Sequence, residues 1–171
     1  MSLNRLFEQL ESSHHAPTER WDPPYCGEMP LVIKENGDWE YQHSKIDRQR
    51  LVNLFASVLV HEDGDYYLVT PVEKLKITVE DAPFIVTEWQ RVEVDGKQAI
   101  QVATNIDERY ILSERVPLKV VNQIPYVCLP RGMTAKVHRN VYYQWVALAE
   151  LSSQNECVIH SAGQAFVLGQ A

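Results

Sequence analysis

Residues Lys45 to Pro71 and Lys136 to Ala162 lie on each other without a gap, at an offset of 91 residues. A chain with two such copies has to satisfy the same pattern of apolar positions twice, which restricts its architecture more than any single motif does. Lys45 falls on Lys136, Ile46 on Val137, Arg48 on Arg139 and Ala56 on Ala147. The helically spaced Leu51, Leu54, Phe55 and Val58 fall on Tyr142, Trp145, Val146 and Ala149. The strand-like Tyr66 to Thr70 falls on Cys157 to Ser161. The register predicts two helix-then-strand units, with Leu54 and Trp145 both buried. Identity between the copies is low, so the pattern speaks to architecture and names no chemistry.

A chain of 171 residues, 45% of them hydrophobic, can bury a core as one domain or as two small ones. The expected division is residues 1–79, an N-terminal α+β domain, and 80–171, a C-terminal β-rich domain with one main helix. Net charge is −7. It divides into −5 up to Val79, from 8 basic and 13 acidic side chains, and −2 beyond it, from 8 and 10. That balance argues against bulk nucleic-acid binding, which needs a basic surface to displace counterions. Cys26, Cys128 and Cys157 form no CxxC motif, and their odd number fits a reduced, cytoplasmic setting. No apolar run approaches the roughly 20 residues a membrane helix needs, so no membrane role is expected. Met1 to Leu10 reads as a short amphipathic helix, with Arg5 and Glu8 set among Leu3, Leu6, Phe7 and Leu10.

Ser12 to Pro24 is polar and Pro-punctuated, an irregular arm by composition. Leu31 to Lys34 and Trp39 to Gln42 flank Asn36-Gly37, a hairpin signal because both residues tolerate positive φ. Asp47 is placed to cap a helix carrying Leu51, Leu54, Phe55, Val58 and Leu59. His61 to Asp65 reads as a polar turn. Tyr66 to Thr70, Lys74 to Val79 and Phe84 to Val94 read as strands, and Asp95-Gly96 turns the last of these toward Ile100 to Ala103. Tyr110 to Leu112, Leu118 to Val121, Tyr126 to Leu129 and Met133 to Val137 are further strands, before a second helix over Val141 to Leu151. A last hairpin turns at Ser161-Ala162-Gly163 toward Phe166 to Leu168. The class is α+β with antiparallel sheets, since the alternating β and α units of a parallel sheet are missing.

The blocks Asn36-Gly37-Asp38-Trp39, Leu51 to Ala56, Leu68 to Lys74 and Glu80 to Phe84, with Pro130-Arg131-Gly132 and Gly163 to Phe166 later, resemble the bacterial domain-of-unknown-function 1285 family. The resemblance runs from Gly27 to nearly the end of the chain. It implies a duplicated core, a C-terminal half superficially like pleckstrin-homology folds, a binding surface between the halves and a role in signal transduction. It brings no established activity.

Three constellations are candidates for chemistry. Lys45 and Arg48 in one copy, and Lys136 and Arg139 in the other, stand where a helix begins. Cations there oppose the helix dipole by about 0.3–1 kcal/mol each, yet together with exposed N–H groups they can hold an anion; the alternative is a solvated surface paired with acids such as Asp47 and Glu73. From Arg115 through Ala149 there is no acidic residue, while Arg115, Lys119, Arg131, Lys136 and Arg139 are basic. Tyr126, Tyr142, Tyr143 and Trp145 interleave with them as stacking surfaces, although Tyr142 and Trp145 match core positions of the first helix. Glu73, Lys74, Glu80 and Asp81 lie at the expected junction, with Phe84 as an apolar anchor.

Catalytic and metal signatures are absent from the sequence: there is no nucleophile elbow, phosphate-cradling loop, dinucleotide fingerprint or HExxH. His61 to Asp65 lacks the ligand spacing of a calcium loop, and the scattered histidines meet no Cys at zinc spacing. The reading is a non-enzymatic regulatory or binding protein without cofactor or metal. It is expected to hold an anionic small molecule, a nucleic-acid segment or an acidic peptide, or to meet a protein partner, near the interface of its halves. Lys45, Arg48, Glu73, Lys74, Asp81, Phe84, Arg131, Lys136 and Arg139 are the candidate binding residues. The alternatives are a protein-interaction scaffold, marked by an exposed apolar patch, and a small enzyme using interface carboxylates with Arg48 or Arg139.

Overall fold

The computed structural model describes residues 15–171, so the helix expected over Met1 to Leu10 lies outside the described residues. The chain divides into two units between Asp81 and Ala82.

The N-terminal unit is one six-stranded sheet with a helix. Strands β1 (Tyr25–Ile33), β2 (Trp39–Tyr41) and β3 (Ser44–Lys45) form a meander; helix α1 (Gln49–Ser57) follows; β4 (Leu59–Glu62), β5 (Asp65–Val69) and β6 (Lys74–Val79) form a second meander. The strand order is β3-β2-β1-β6-β5-β4. β6 joins the two meanders by pairing parallel to β1. Leu31, Ile33, Trp39, Leu54, Leu59, Leu68 and Ile77 are buried, and each contributes roughly 1.5–3 kcal/mol by leaving water. The described part of the expected arm is not loose: Ala16 is fully buried and its N–H donates to the Ser57 carbonyl at 2.9 Å.

The C-terminal unit opens with β7 (Phe84–Val94), β8 (Lys97–Thr104) and β9 (Arg109–Ile111), continues with β10 (Leu118–Val121), β11 (Ile124–Cys128) and β12 (Thr134–Val137), and then enters helix α2 (Arg139–Leu148). The strands β13 (Glu150–Leu151), β14 (Glu156–Ser161) and β15 (Gln164–Gln170) close it. Its six-stranded sheet has the order β10-β11-β12-β7-β8-β9, and β13-β14-β15 is a separate sheet. Ser161 ties the two sheets together: its buried hydroxyl accepts from the Ile100 N–H at 2.8 Å and donates to the Leu112 carbonyl at 2.6 Å. Phe84 is buried on β7, opposite Ala135 of β12.

At the offset of 91, α1 falls on Asn140 to Leu148, inside α2, and β5 and β6 fall on β14 and β15. Leu54 and Trp145 are both buried. The repeat therefore runs further than its ungapped match, as a helix followed by a three-stranded meander. The helices differ in how much they bury. Val52, Leu54, Ala56 and Ser57 of α1 are enclosed, whereas only Val141 and Trp145 of α2 are.

Several expectations are corrected. The sheets are not purely antiparallel: β1–β6 and β7–β12 pair parallel. Each pair is joined by a long connection, about the only route by which parallel neighbours arise. Asp47 does not cap α1; Arg48 holds the N-cap position without a side-chain bond, because the helix begins only at Gln49. Leu59 belongs to β4 and Leu151 to β13, so both helices end before the apolar run does. The polar turn over His61 to Asp65 shrinks to Asp63-Gly64, whose φ values of 51 and 84 make a two-residue hairpin turn. β1 starts at Tyr25, ahead of the expected Leu31.

Candidate anion-binding site

The acid-free stretch folds into β10, β11, β12 and the start of α2. Antiparallel register sets Lys119 opposite Tyr126, and Tyr126 opposite Lys136. Side chains directly opposite each other share a sheet face with Cβ atoms about 5 Å apart. Lys119, Tyr126 and Lys136 thus form one row. Alternation puts Pro125, Val127, Ala135 and Val137 on the other face, and all four are buried there. Lys119 is exposed, Tyr126 and Lys136 are half-buried, and the row continues into buried Ile85 on β7. Strands about 4.8 Å apart place the two lysine backbones roughly 10 Å from each other, with the tyrosine ring between them. Two point charges flanking a ring suit a doubly anionic group, since ammonium groups recognise phosphate or carboxylate without a fixed orientation.

The remaining cations of the stretch lie at two separate ends. Arg131 sits in the turn Pro130–Gly132 between β11 and β12, at a left-handed φ of 65. Arg115 precedes β10 at that same end, where the Cys128 N–H donates to the Pro117 carbonyl at 2.8 Å. Nearby Tyr110 is held neutral: burial raises its phenol most, and its 2.5 Å hydrogen bond to Glu108 adds to this, while Arg131 pulls the other way. Arg139 begins α2 beyond the opposite end of β12. The four strand residues between Arg131 and Arg139 span about 13 Å, so these two arginines do not converge on one small group. His138 caps α2, its Nδ1 accepting from the Asn140 N–H at 3.1 Å.

Two candidates of the N-terminal unit, Lys45 and Lys74, have acidic company. Lys45, the counterpart of Lys136, stands opposite Glu40 and lies 3.6 Å from Asp38. Arg48 is exposed ahead of α1. Lys74 is 2.7 Å from Glu62 and 4.5 Å above the Tyr67 ring, and the Glu62 hydrogen bond is the main cause that raises its ammonium above the ordinary value. Glu73 is exposed in the turn before β6, where its N–H donates to Thr70 Oγ1 at 3.1 Å. Asp81 is exposed at the end of the unit.

Sequence reasoning missed one feature altogether. Within the C-terminal unit a cavity of about 320 Å³ lies among β7, β8, α2 and the three-stranded sheet, lined by Trp89, Ile100, Trp145 and Ile159 together with Arg91 and Glu150. The only signal was Trp145 in an apolar stripe. The partners arrive from strands far apart in sequence, so spacing could not announce the hollow. Among the described residues no group of His, Cys, Asp or Glu could hold a metal ion, and no helix is long and apolar enough to cross a membrane.

Residues 16–82 match the model of the domain of unknown function (DUF1285), N-terminal domain, and residues 83–168 match its C-terminal counterpart. The chain belongs to the DUF1285 family. A DUF1285 family protein from Silicibacter pomeroyi DSS-3 is similar at 30% identity, with a TM-score of 0.85 over 99% of this chain and 96% of that one. Another, from Shewanella baltica OS155, is also 30% identical, with a TM-score of 0.60 over 72% of this chain and 94% of its own. No curated protein matches. The DUF1285 assignment fixes the two-domain α+β architecture and carries no activity with it.

Proposed function

We propose that this DUF1285 protein is a binding protein whose C-terminal unit holds an anionic group over the Lys119–Tyr126–Lys136 row. The carrying observation is the register that sets two lysines on either side of a tyrosine on one sheet face. A ligand with two anionic groups, such as a diphosphate-bearing small molecule, a short nucleic-acid segment or an acidic peptide, matches that spacing. A regulatory use of such binding is what the family resemblance adds.

Thermal unfolding at low salt against a panel of polyphosphates, nucleotides and acidic peptides tests the proposal. At least one class is expected to raise the midpoint of the wild type, with a smaller rise in Lys119→Gln and Lys136→Gln. The rise is expected to shrink as salt screens the lysines. Arg139→Gln is expected to respond like the wild type. A flat response of the wild type to the whole panel rules the reading out.

A second reading has its own observation. Tyr143, Val146, Leu148 and Leu151 are exposed on α2 and β13, the apolar patch by which a protein-interaction scaffold would be known.

A further inference from the structure

Asn36 alone among the asparagines of the chain is followed by glycine, and the turn that holds the pair brings together the parts of a reaction. Asn36 is exposed to water between β1 and β2. Its Oδ1 accepts from the Asp38 N–H at 3.0 Å, a side-chain turn that folds the amide back along the chain. The ring closed by that hydrogen bond contains the Asn36 Cγ, Cβ, Cα and carbonyl carbon and the Gly37 nitrogen, the atoms of a cyclic imide. Gly37 has no side chain to screen its nitrogen, and it takes a φ of 94 that other residues rarely adopt. On the other side of the amide, Asn36 Nδ2 lies 3.3 Å from Asp38 Oδ2. One residue thus offers an N–H to the amide oxygen and a carboxylate to the amide nitrogen. The Gly37 N–H donates to the Lys34 carbonyl at 3.0 Å, so attack waits until that bond opens.

From this arrangement we infer that Asn36 is a self-modification site, at which the Gly37 nitrogen displaces ammonia from the side-chain amide and Asp38 speeds the exchange. The bond from the Gly37 nitrogen to Asn36 Cγ forms and the bond from Cγ to Nδ2 breaks. The proton lost by Gly37 leaves with Nδ2 as ammonia, and water then opens the imide to aspartate or isoaspartate. The Asp38 N–H steadies the negative charge that grows on Oδ1 during attack, and the Asp38 carboxylate relays the proton to the leaving nitrogen. The product changes its surroundings. A carboxylate then faces Asp38 where an amide donated to it, and isoaspartate adds a methylene to the backbone of a tight turn. That turn also carries Lys34 and Glu35, whose Nζ and N–H hold Glu80 at 3.1 and 3.0 Å. Loosening it weakens the hold on Glu80, just beyond β6.

Ageing of the full chain in mildly alkaline buffer, followed by peptide mapping with mass detection and enzymatic methylation of isoaspartate, tests the inference. Deamidation is expected at Asn36 at least about tenfold faster than at Asn53, Asn105, Asn122, Asn140 or Asn155. Asp38→Asn, with Asp38→Ser as a second variant, is expected to slow it about tenfold in the folded chain. The same changes are expected to have no effect in a free peptide spanning residues 31–41, where no turn holds the carboxylate in place. Lys45→Gln removes the ion-pair partner of Asp38 without touching the amide, and it is expected to age like the wild type. Asn36→Asp, which makes the aspartate product directly, is expected to unfold at a lower temperature than the wild type. An Asn36 no faster than the other asparagines overturns the site. An unchanged rate in the folded Asp38 variants, or an equal slowing in the peptide, overturns the role of Asp38. A wild-type midpoint in Asn36→Asp overturns the consequence for the turn.

Discussion

Lys45 and Lys136 occupy the same place in the two copies of the repeat, one strand-end before a helix, and their cross-strand neighbours differ. Lys45 faces Glu40 and is paired with Asp38; Lys136 faces Tyr126, with Lys119 beyond it. The contrast extends through the N-terminal unit, where Lys34, Lys45, Lys74 and Lys76 each lie within 4 Å of a carboxylate, of Glu80, Asp38, Glu62 and Asp65 in turn. In the N-terminal unit these lysines stand beside carboxylates; in the C-terminal unit Lys119 and Lys136 share a sheet face with Tyr126. A duplicated backbone keeps the position of a residue, and the neighbour across the ladder decides what it can do. The meanders after the helices diverge in the same way. In the N-terminal unit β6 merges with β1 into one sheet, while β13-β14-β15 stays separate and leaves room for a cavity against α2.

The largest expected effect concerns the helices. Trp145→Ala should destabilise by about 3–5 kcal/mol and Leu54→Ala by about 2–5, because both fill the shared buried position. Tyr143, which aligns with buried Val52, is 59% exposed, so Tyr143→Ala should stay within about 0.5 kcal/mol. Urea unfolding of the three variants measures this. A Tyr143→Ala cost as large as that of Trp145→Ala would show that α2 encloses this position as α1 encloses Val52, and the contrast between the copies would fail.

A smaller difference is expected between two hydroxyls that the offset aligns. Ser161 is fully buried and bridges Ile100 and Leu112, whereas Thr70 is half-buried and caps an exposed turn through the N–H groups of Val72 and Glu73. Ser161→Ala should cost about 1–3 kcal/mol, since it leaves a buried donor and acceptor unmet, and Thr70→Ala about 0.5–1. Equal costs in thermal unfolding would mean that the junction of the two C-terminal sheets does not depend on Ser161.

The smallest effect is a pH dependence from the Lys34–Glu80 pair of the N-terminal unit. The Glu35 N–H, and then Lys34, hold the Glu80 carboxyl below its ordinary value, while the hydrogen bond to Glu80 raises Lys34 above its own. A lowered carboxyl contributes above its unfolded-state pKa, and that contribution is lost as pH falls through the folded one. The raised ammonium contributes below its unfolded-state pKa, and that contribution is lost as pH rises through the folded one. The pair should therefore favour the fold across the neutral range, and Glu80→Gln should slightly flatten the acid limb of stability against pH. An unchanged limb in acid titration would mean that solvent screens the pair completely.

Much of the fold was legible in the sequence where local chemistry dictates it. Asp95-Gly96 and Ala162-Gly163 turn their hairpins at positive φ, as glycine at the second position allows. The β2–β3 and β10–β11 hairpins turn at Gln42-His43 and Asn122-Gln123 with equally positive φ, and pairs without glycine give little warning of that backbone. The parallel pairings and the cavity were illegible because both depend on strands that meet only after long connections. The basic stretch was legible as composition. What its residues could do was not: cross-strand register joined Lys119 to Tyr126 and Lys136, while β12 set Arg131 and Arg139 apart.

The central claim is that the same lysine position binds an anion in one copy of the repeat and not in the other. Calorimetric titration of the full chain with tripolyphosphate at low salt, comparing wild type, Lys136→Gln and Lys45→Gln, tests it directly. The account predicts that Lys136→Gln weakens binding about tenfold, the worth of one charge-assisted contact, and that Lys45→Gln binds like the wild type. Equal weakening by both variants, or by neither, would contradict it.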